Sequence, residues 1–247
     1  MRKCYLFTLL VSVLFCCTLK AQTTKTIDVT QPGTLSTMLG ETLKSVKDLS
    51  ITGKINSADI DALMQAGALE VLNLLDATIV DAEGKETTVF PGYTLRKHPS
   101  LTTLTFPKTV TSIGAGAFFK CLKLKKVVLP EAIKKLSESV FMSCSALSEI
   151  NFPNGLESIG RSALYMTAIT DFIAPKSLRA LGDNALYGTQ ITKAVLNDKL
   201  EKIGQASFAA CKQLEKIEIE NNPNFKLVDG VLYSADETIL VAYPLAD

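Results

Sequence analysis

The sequence predicts a β-rich solenoid of 22–23-residue repeats, with an N-terminal α/β cap and a C-terminal β-hairpin or meander. Two observations support this prediction. Proline and several apolar columns recur at one fixed interval, and each repeat begins with alternating apolar and polar residues. The chain has 247 residues, of which 47% are hydrophobic, so it can form a buried core. This length and composition exclude a disordered chain and a miniature held together by disulfides.

The repeat is visible in several columns of the sequence. At intervals of 23, 23, 22 and 22 residues stand Pro107, Pro130, Pro153, Pro175 and Asn197. The same interval is kept by an apolar column (Ile113, Leu136, Ile159, Leu181, Ile203), a small-residue column (Ala117, Val140, Ala163, Ala185, Ser207) and a bulky column (Phe118, Phe141, Leu164, Leu186, Phe208). A fixed period across so many columns is typical of stacked structural units.

Each repeat opens with a predicted β-strand. In the repeat that begins at Leu101, alternation places Leu104 and Phe106 inward and Thr103 and Thr105 outward. The following proline lacks a backbone donor and ends the strand. One such coil cannot bury its apolar face alone, so the coils are expected to stack on one continuous core. A glycine usually follows the Ile or Leu of the apolar column and suits a turn or a close approach of coils.

The sequence divides into four predicted parts: a signal peptide at 1–21, an N-terminal cap with a first irregular coil at 22–68, the repeat array at 69–220 and a C-terminal β cap at 221–247. In the N-terminal cap, an amphipathic helix is predicted with one face formed by Leu35, Met38, Leu39 and Leu43. A polar loop at 82–87 is inserted within the array. An Asp-Gly turn between apolar strands is predicted in the C-terminal cap.

The first 21 residues resemble an export signal. Arg2 and Lys3 precede an apolar run, 5–19, and Ala21 offers a small residue for cleavage. Fifteen helical residues cover about 22 Å, less than the roughly 30 Å of a membrane core, so a permanent anchor is the weaker alternative. Lipidation at Cys16 or Cys17 is a further alternative. The protein is therefore expected to be exported to the cell surface or the medium, with the periplasm as the other destination.

Export would leave three cysteines, Cys121, Cys144 and Cys211. An odd number argues against a disulfide framework. The three share one column with Thr167 and Thr189, which indicates small inward residues. Two alternatives stay open: a disulfide between Cys121 and Cys144 on adjacent coils, and a catalytic or metal-binding pair of Cys121 with His98, which falls 23 residues earlier in the same column.

Charge and motifs exclude several functions. Loss of Arg2, Lys3 and Lys20 with the signal peptide leaves 23 basic and 25 acidic residues, a formal charge of −2, and no basic cluster for nucleic acid. The sequence contains neither a close inward pair of acids nor a glycine-rich phosphate loop. We therefore predict a non-enzymatic protein with no cofactor or metal.

In its repeat columns the sequence resembles the BspA-like leucine-rich repeats of bacterial cell-surface proteins. The match is close in SerIleGlyAlaGlyAlaPhePheLysCys at 112–121 and in LysIleGlyGlnAlaSerPheAlaAlaCys at 202–211, and it covers about 69–219. It departs from the leucine-rich repeats with an asparagine ladder, because only Asn197 lies near such a position. The resemblance implies the fold more than any activity.

Two surfaces are candidate binding sites. The first is the strand face, the outward side chains Thr105, Lys126, Val128, Glu149, Asn151, Asp171, Ile173, Lys193 and Val195. It exposes β-branched apolar groups but no aromatic ring, which favours a protein partner over a sugar. The second is the corner row, Phe119, Met142, Tyr165 and Tyr187. The sequence thus predicts an exported protein that binds a protein partner, with a glycan-binding module or a structural envelope component as alternatives.

Overall fold

A computed structural model describes residues 24–244, which form a β-solenoid of about eight turns with few helices. The solenoid predicted from the repeat is therefore confirmed. The predicted signal peptide, 1–21, lies outside the described residues.

The N-terminal part contains two parallel strands and two short helices. Its elements are β1 (Lys25–Val29), α1 (Leu35–Leu39), a 3₁₀ helix (Gly40–Lys44), β2 (Asp48–Ile55), α2 (Ser57–Ala62) and a second 3₁₀ helix (Leu63–Gln65). Asp59, in α2, joins the two helices because its carboxylate accepts hydrogen bonds from the backbone N–H groups of Gly33 and Leu35, at 2.7 and 2.9 Å. Asn56 caps α2 and accepts from Asp59 N–H at 3.2 Å.

The predicted face of the first helix is wrong at one position. Leu35, Leu39 and Leu43 are buried, whereas Met38 is 43% exposed. The α-helix lasts only five residues before it tightens into the 3₁₀ helix. Only the row spaced four residues apart then faces the core.

Each turn of the array contributes a first strand, and most turns contribute a second. The strands are β3 (Val71–Asn73), β4 (Ala77–Ile79), β5 (Val89–Phe90), β6 (Thr103–Thr105), β7 (Ser112–Ile113), β8 (Lys126–Val128), β9 (Lys135–Leu136), β10 (Glu149–Ile150), β11 (Ser158–Ile159), β12 (Asp171–Ile173), β13 (Ala180–Leu181), β14 (Lys193–Leu196), β15 (Lys202–Ile203) and β16 (Lys216–Ile219). The first strands of the array are β3, β6, β8, β10, β12, β14 and β16, and they pair in parallel in two sheets. One sheet has the order β1-β2-β3-β6-β8-β10, with β4 also paired with β2. The other has the order β12-β14-β16. The second strands form one six-stranded parallel sheet, from β5 to β15.

The alternation within the first strands is as predicted. Leu104 and Phe106 are fully buried, and Thr103 and Thr105 are partly exposed. The bulky column continues the core from coil to coil, since the rings of Phe118 and Phe141 stack with centroids 5.6 Å apart and an interplanar angle of 21°. One continuous core therefore runs through the stack.

The glycines after the apolar column lie where two coils approach each other. A Cβ added to Gly182 would lie 2.4 Å from the backbone N of Arg161, and one added to Gly114 would lie 2.4 Å from the N of Gly92. Of the two roles that the sequence left open for these glycines, the structure shows the close approach.

The insertion within the array and the C-terminal part follow different patterns. The inserted polar segment follows β4 and is closed by an antiparallel bridge between Val80 and Glu86. At the C-terminus, β17 (Phe225–Val228), β18 (Val231–Ser234) and β19 (Leu240–Ala242) form an antiparallel three-stranded sheet. Asp229 and Gly230, both with positive φ, turn the chain between β17 and β18.

Candidate functional site

The strand face is arranged in two rows of outward side chains. In the first row, Thr103 is in register with Lys126, and Lys126 with Glu149. Farther along, Asp171 is in register with Lys193, and Ile173 with Val195. Among the apolar members of the face, Ile173 is 67% and Val128 is 37% exposed, and Val195 is half-buried. The face therefore presents apolar groups among charged ones.

The two rows are interrupted once, which the sequence did not predict. The sequence placed Glu149 beside Asp171 and Asn151 beside Ile173, but β10 ends one sheet and β12 begins the next. The parallel ladder that joins the other first strands is absent between these two strands. We call this discontinuity the break.

The break contains a groove of about 600 Å³. Most of its polar lining comes from residues already predicted as strand-face residues. The lining is Lys126, Val127, Val128, Ser148, Glu149, Ile150, Asn151, Ile169, Thr170 and Asp171. A second hollow of about 280 Å³ shares Ile150 and Asp171 with it and reaches Phe152 and Ile173. The strand face is thus a surface with one groove across its middle.

Asn151 lies at the end of β10, beside the break. Its side-chain Oδ1 accepts from Leu129 N–H at 2.7 Å, and its Nδ2 donates to Leu129 O at 2.9 Å. The amide thereby takes the place of the next backbone rung between β8 and β10. The first sheet therefore ends with a side chain that bonds to the backbone directly after β8, and the other edge of β10 pairs with no strand of the described chain.

The charges of the strand face are mostly paired. Lys126 contacts Glu149 at 3.2 Å, and Glu218 contacts both Lys193 and Lys216, at 2.9 and 2.8 Å. These two lysines lower the pKa of Glu218 through hydrogen bonds. Glu218 is half-buried and the other groups are exposed, so the pairs contribute little to stability. Among residues 24–244, Asp171 is the charged strand-face residue that belongs to none of these pairs.

The corner row lies on another edge of the solenoid. All four of its side chains are half-buried, and the rings of Tyr165 and Tyr187 stack with centroids 4.8 Å apart and an interplanar angle of 5°. Lys120 Nζ lies 5.2 Å from the ring centroid of Phe119. A shallow hollow of about 440 Å³ next to Tyr187 is lined partly by Met166 and Lys212. Stacked aromatic rings at a hollow can hold an apolar or sugar ligand.

His98 is a buried structural residue. Its Nδ1 accepts from Leu101 N–H at 3.1 Å, and its Nε2 lies 3.2 Å from Leu63 O, to which it donates in the neutral form. Burial lowers the pKa of His98 below its ordinary value. The Cys121 thiol donates to Leu95 O at 3.1 Å, so both members of the pair considered from the sequence are engaged with backbone carbonyls.

The three cysteines of the described chain are free, buried thiols that act as hydrogen-bond donors. Cys144 donates to Phe118 O at 3.1 Å and Cys211 to Leu186 O at 3.2 Å. Contact with the Cys121 thiol and burial raise the pKa of Cys144 well above its ordinary value, and burial raises that of Cys211. Thr167, in the same column, donates instead within its own coil, to Leu164 O at 3.0 Å.

The described residues contain neither a metal-binding cluster nor a membrane-spanning helix. Between residues 24 and 244, His, Cys, Asp and Glu do not gather into a group of three that could hold a metal ion. Over the same range, no helix has the length and apolar character needed to cross a membrane.

The structure also reveals features that the repeat alone did not indicate. Asn222 repeats the role of Asn197, because each Nδ2 donates to backbone carbonyls of the preceding coil. The same type of bond thus recurs on two successive coils, whereas the sequence indicated only Asn197. The spacing of 25 residues, outside the period of 22 or 23, concealed it.

Two further columns adopt positive φ although most of their members are not glycine. The residue before the cysteine column does so in six coils, at Lys97, Lys120, Ser143, Met166, Gly188 and Ala210. An earlier corner does the same at Tyr93, Gly116, Ser139, Ser162, Asn184 and Ala206. Because the residue types vary, no sequence pattern marked these positions.

The fold and the repeat columns define a class of bacterial repeat protein. The family model of the BspA type Leucine rich repeat region matches residues 85–187 and 147–229, with 6 copies. The chain belongs to this family, as its motifs predicted. The comparison with curated proteins finds no match.

Solved structures to which this chain is similar come from several bacteria. A leucine-rich repeat protein of Eubacterium ventriosum is 23% identical, with a TM-score of 0.58 over 63% of this chain and 44% of that one. A leucine rich cell surface protein of Faecalibacterium prausnitzii is 26% identical, with a TM-score of 0.47 over 65% and 50%. The pneumococcal vaccine antigen PcpA is 18% identical, with a TM-score of 0.49 over 81% and 51%. The chain thus spans about half the length of these structures.

Proposed function

We propose that the protein is an exported, non-enzymatic repeat protein of the bacterial cell surface that binds a protein partner through its strand face. The observation that supports this most is the exposure of Ile173 and Val128 on a rigid surface of paired strands. Apolar groups of this kind, surrounded by charges, are typical of protein-binding patches. Membership of the family and the signal-like residues 1–21 support export.

Binding assays with purified protein test this function. The protein is tested against a panel of extracellular-matrix proteins and against a glycan array, and any partner found is tested against two variants. In the first, Val128, Ile173 and Val195 are all changed to Thr, which keeps β-branching but removes apolar contact. We expect binding to weaken by more than about 1 kcal/mol, because a few central residues carry most binding energy.

A matched variant, Tyr165→Ser with Tyr187→Ser, tests the corner row. The stacked tyrosines favour glycan binding as the second candidate function. If glycan binding is lost in the tyrosine variant and kept in the threonine variant, the binding site is the corner row and not the strand face. Absence of binding in both assays would favour the remaining alternative, a structural envelope component. Protease treatment of intact cells decides between the surface, where the protein is digested, and the periplasm, where it is protected.

A further inference from the structure

We propose that a second surface of the protein, at the corner of the solenoid, binds an anionic polysaccharide that carries sulfate groups. The surface consists of a cluster of cations, which we call the basic corner, and of the exposed ring of Tyr93 beside it. The basic corner is Arg96, Lys97, Lys120 and Lys123. This inference rests on the proposed export, because sulfated polysaccharides are extracellular polymers, and it adds a site that is separate from the strand face.

The stacking of the coils brings these cations together. Lys97 N–H donates to Phe119 O at 2.7 Å, and Lys120 N–H donates to Met142 O at 2.8 Å, so the two lysines occupy the same position on adjacent coils. Both have positive φ, 59° and 58°. In the chain, Lys97 and Lys120 are 23 residues apart. The sequence therefore shows no basic run, whereas the structure forms a cluster, which corrects the expectation from the sequence.

The charges of the basic corner are not neutralised by neighbouring acids. All four side chains are exposed, and among residues 24–244 none of them forms an ion pair. The corner segments of these coils and of the next one contain no Asp or Glu: 92–101, 115–124 and 139–148. The formal net charge of the whole chain is only +1, so the excess is local. A surface patch of one sign attracts polymers of the opposite charge.

Tyr93 supplies an apolar ring next to the cations. Its ring packs against the backbone of Gly116, since a Cβ added to Gly116 would lie 2.8 Å from Tyr93 Cε1. Tyr93 is nevertheless 64% exposed. It begins the corner segment that leads to Lys97, as Gly116 begins the segment that leads to Lys120. The ring is thus held in place beside the cations, and its exposed part is available to stack on a sugar ring.

The combination of one exposed ring with several cations favours a sulfated polysaccharide over other polyanions. Such a polymer alternates apolar ring faces with anionic groups, so one chain can contact both parts of the surface. Single-stranded nucleic acid is usually held by several aromatic rings along a basic groove. Binding in a membrane surface usually needs a larger apolar face, such as that of an amphipathic helix. The basic corner offers neither of these features.

Heparin, a highly sulfated polysaccharide, is a direct probe. The purified protein is titrated with a fluorescein-labelled heparin hexasaccharide, and binding is followed by fluorescence anisotropy. We expect binding that weakens at least about tenfold between about 50 and 200 mM salt, because counterions are released when cations contact a polyanion. Chemically desulfated heparin of the same length should not bind at concentrations that saturate the sulfated form.

Three variants locate the site. Lys97→Glu with Lys120→Glu should weaken heparin binding by about tenfold or more. Lys199→Glu with Lys202→Glu is the matched control, because both lysines are exposed outside the basic corner and the net charge changes equally. It should weaken binding by less than about threefold. Tyr93→Ser should weaken binding about threefold without changing its salt dependence, since it removes only the stacking surface. Melting temperatures show whether each variant is folded.

Several results would overturn the proposal. Equal weakening by the two double variants would show that binding follows net charge alone. Unchanged binding by Tyr93→Ser, equal binding of desulfated heparin, or no binding of heparin would each contradict a sulfated-sugar site. Displacement of heparin by a lower concentration of single-stranded DNA, or by phosphatidylglycerol vesicles, would identify a nucleic-acid or membrane site.

The outcome is separable from that of the proposed function. A protein partner that is lost in the Val128, Ile173 and Val195 variant and kept in the Lys97 and Lys120 variant would support the strand face whatever heparin does. Conversely, heparin binding that is lost only in the Lys97 and Lys120 variant would support the basic corner even if no protein partner is found. Protease treatment of intact cells tests export independently of both.

Discussion

Glu149 and Asp171 occupy equivalent positions on successive coils, 22 residues apart, yet their strands do not pair. The change in corner length coincides with this break. Two residues separate Cys144 from Leu147, whereas one separates Thr167 from Ile169. Ala168 N–H then donates to Leu147 O at 2.9 Å, ahead of the position from which the neighbouring strands donate.

The reverse change does not break the sheet. From Thr189 to Cys211 the corner lengthens again, and Lys216 N–H still donates to Thr192 O at 3.2 Å. The groove therefore lies at the one step, within the described array, where a long corner is followed by a short one. A difference of one residue in the length of a repeat thus coincides with the position of the groove on the strand face.

The first prediction concerns the core. Phe141 is fully buried and stacks on Phe118, so Phe141→Ala should reduce the free energy of unfolding by about 3 to 5 kcal/mol through lost burial and a cavity. Neighbouring coils share the core, so the loss should lower the melting temperature of the whole array. The exposed Lys135→Ala is the control and should change stability by less than about 0.5 kcal/mol. A Phe141→Ala variant that melts with the parent would contradict the inward position of Phe141.

The second prediction concerns the close approach of coils. In Gly182→Ala the new Cβ would lie 2.4 Å from the backbone N of Arg161, and backbone of an adjacent coil cannot move aside cheaply. We expect a loss of several kcal/mol or failure to fold, measured by urea unfolding. Gly67→Ala is the matched control, because a Cβ there meets no atom within 4 Å. Equal stability of the two variants would show that the coils are more widely spaced.

The third prediction concerns pH. Burial places the pKa of His98 below 6.5 in the folded state, so the unfolded chain binds more protons as the pH falls below 6.5. Stability is therefore complete above about pH 6.5 and decreases between that pH and the lower folded pKa. The melting temperature should fall from pH 7.5 to pH 5.5.

Because His98 is the only histidine, the control is direct. His98→Asn keeps an acceptor for Leu101 N–H but does not titrate, so its melting temperature should be nearly flat over the same interval. A parent protein with equal melting temperatures at both pH values would refute the prediction.

The fourth prediction concerns the positive-φ columns. Ala206 has φ of 54°, a left-handed conformation that costs a non-glycine residue about 1 to 2 kcal/mol. Ala206→Gly should therefore stabilise the protein by about 0.5 to 1 kcal/mol after the added freedom of the unfolded chain is subtracted. Ala209→Gly, at a neighbouring exposed position without positive φ, should destabilise it by a similar amount. Differential scanning calorimetry measures both, and shifts of the same sign would contradict the assignment.

The sequence by itself determined the repeat, its period and which side chains of each coil lie inside. Leu104, Phe141 and Cys144 could be placed in the core because burial follows the alternation of apolar and polar residues and the fixed period of the repeat. The tertiary structure alone decided how neighbouring coils pair. Whether Glu149 meets Asp171 depends on the path of the chain around the Thr167 corner relative to the coil before it, which is a relation between coils. Sequence periodicity specifies each unit, whereas the register between units is set by the backbone geometry of both neighbours.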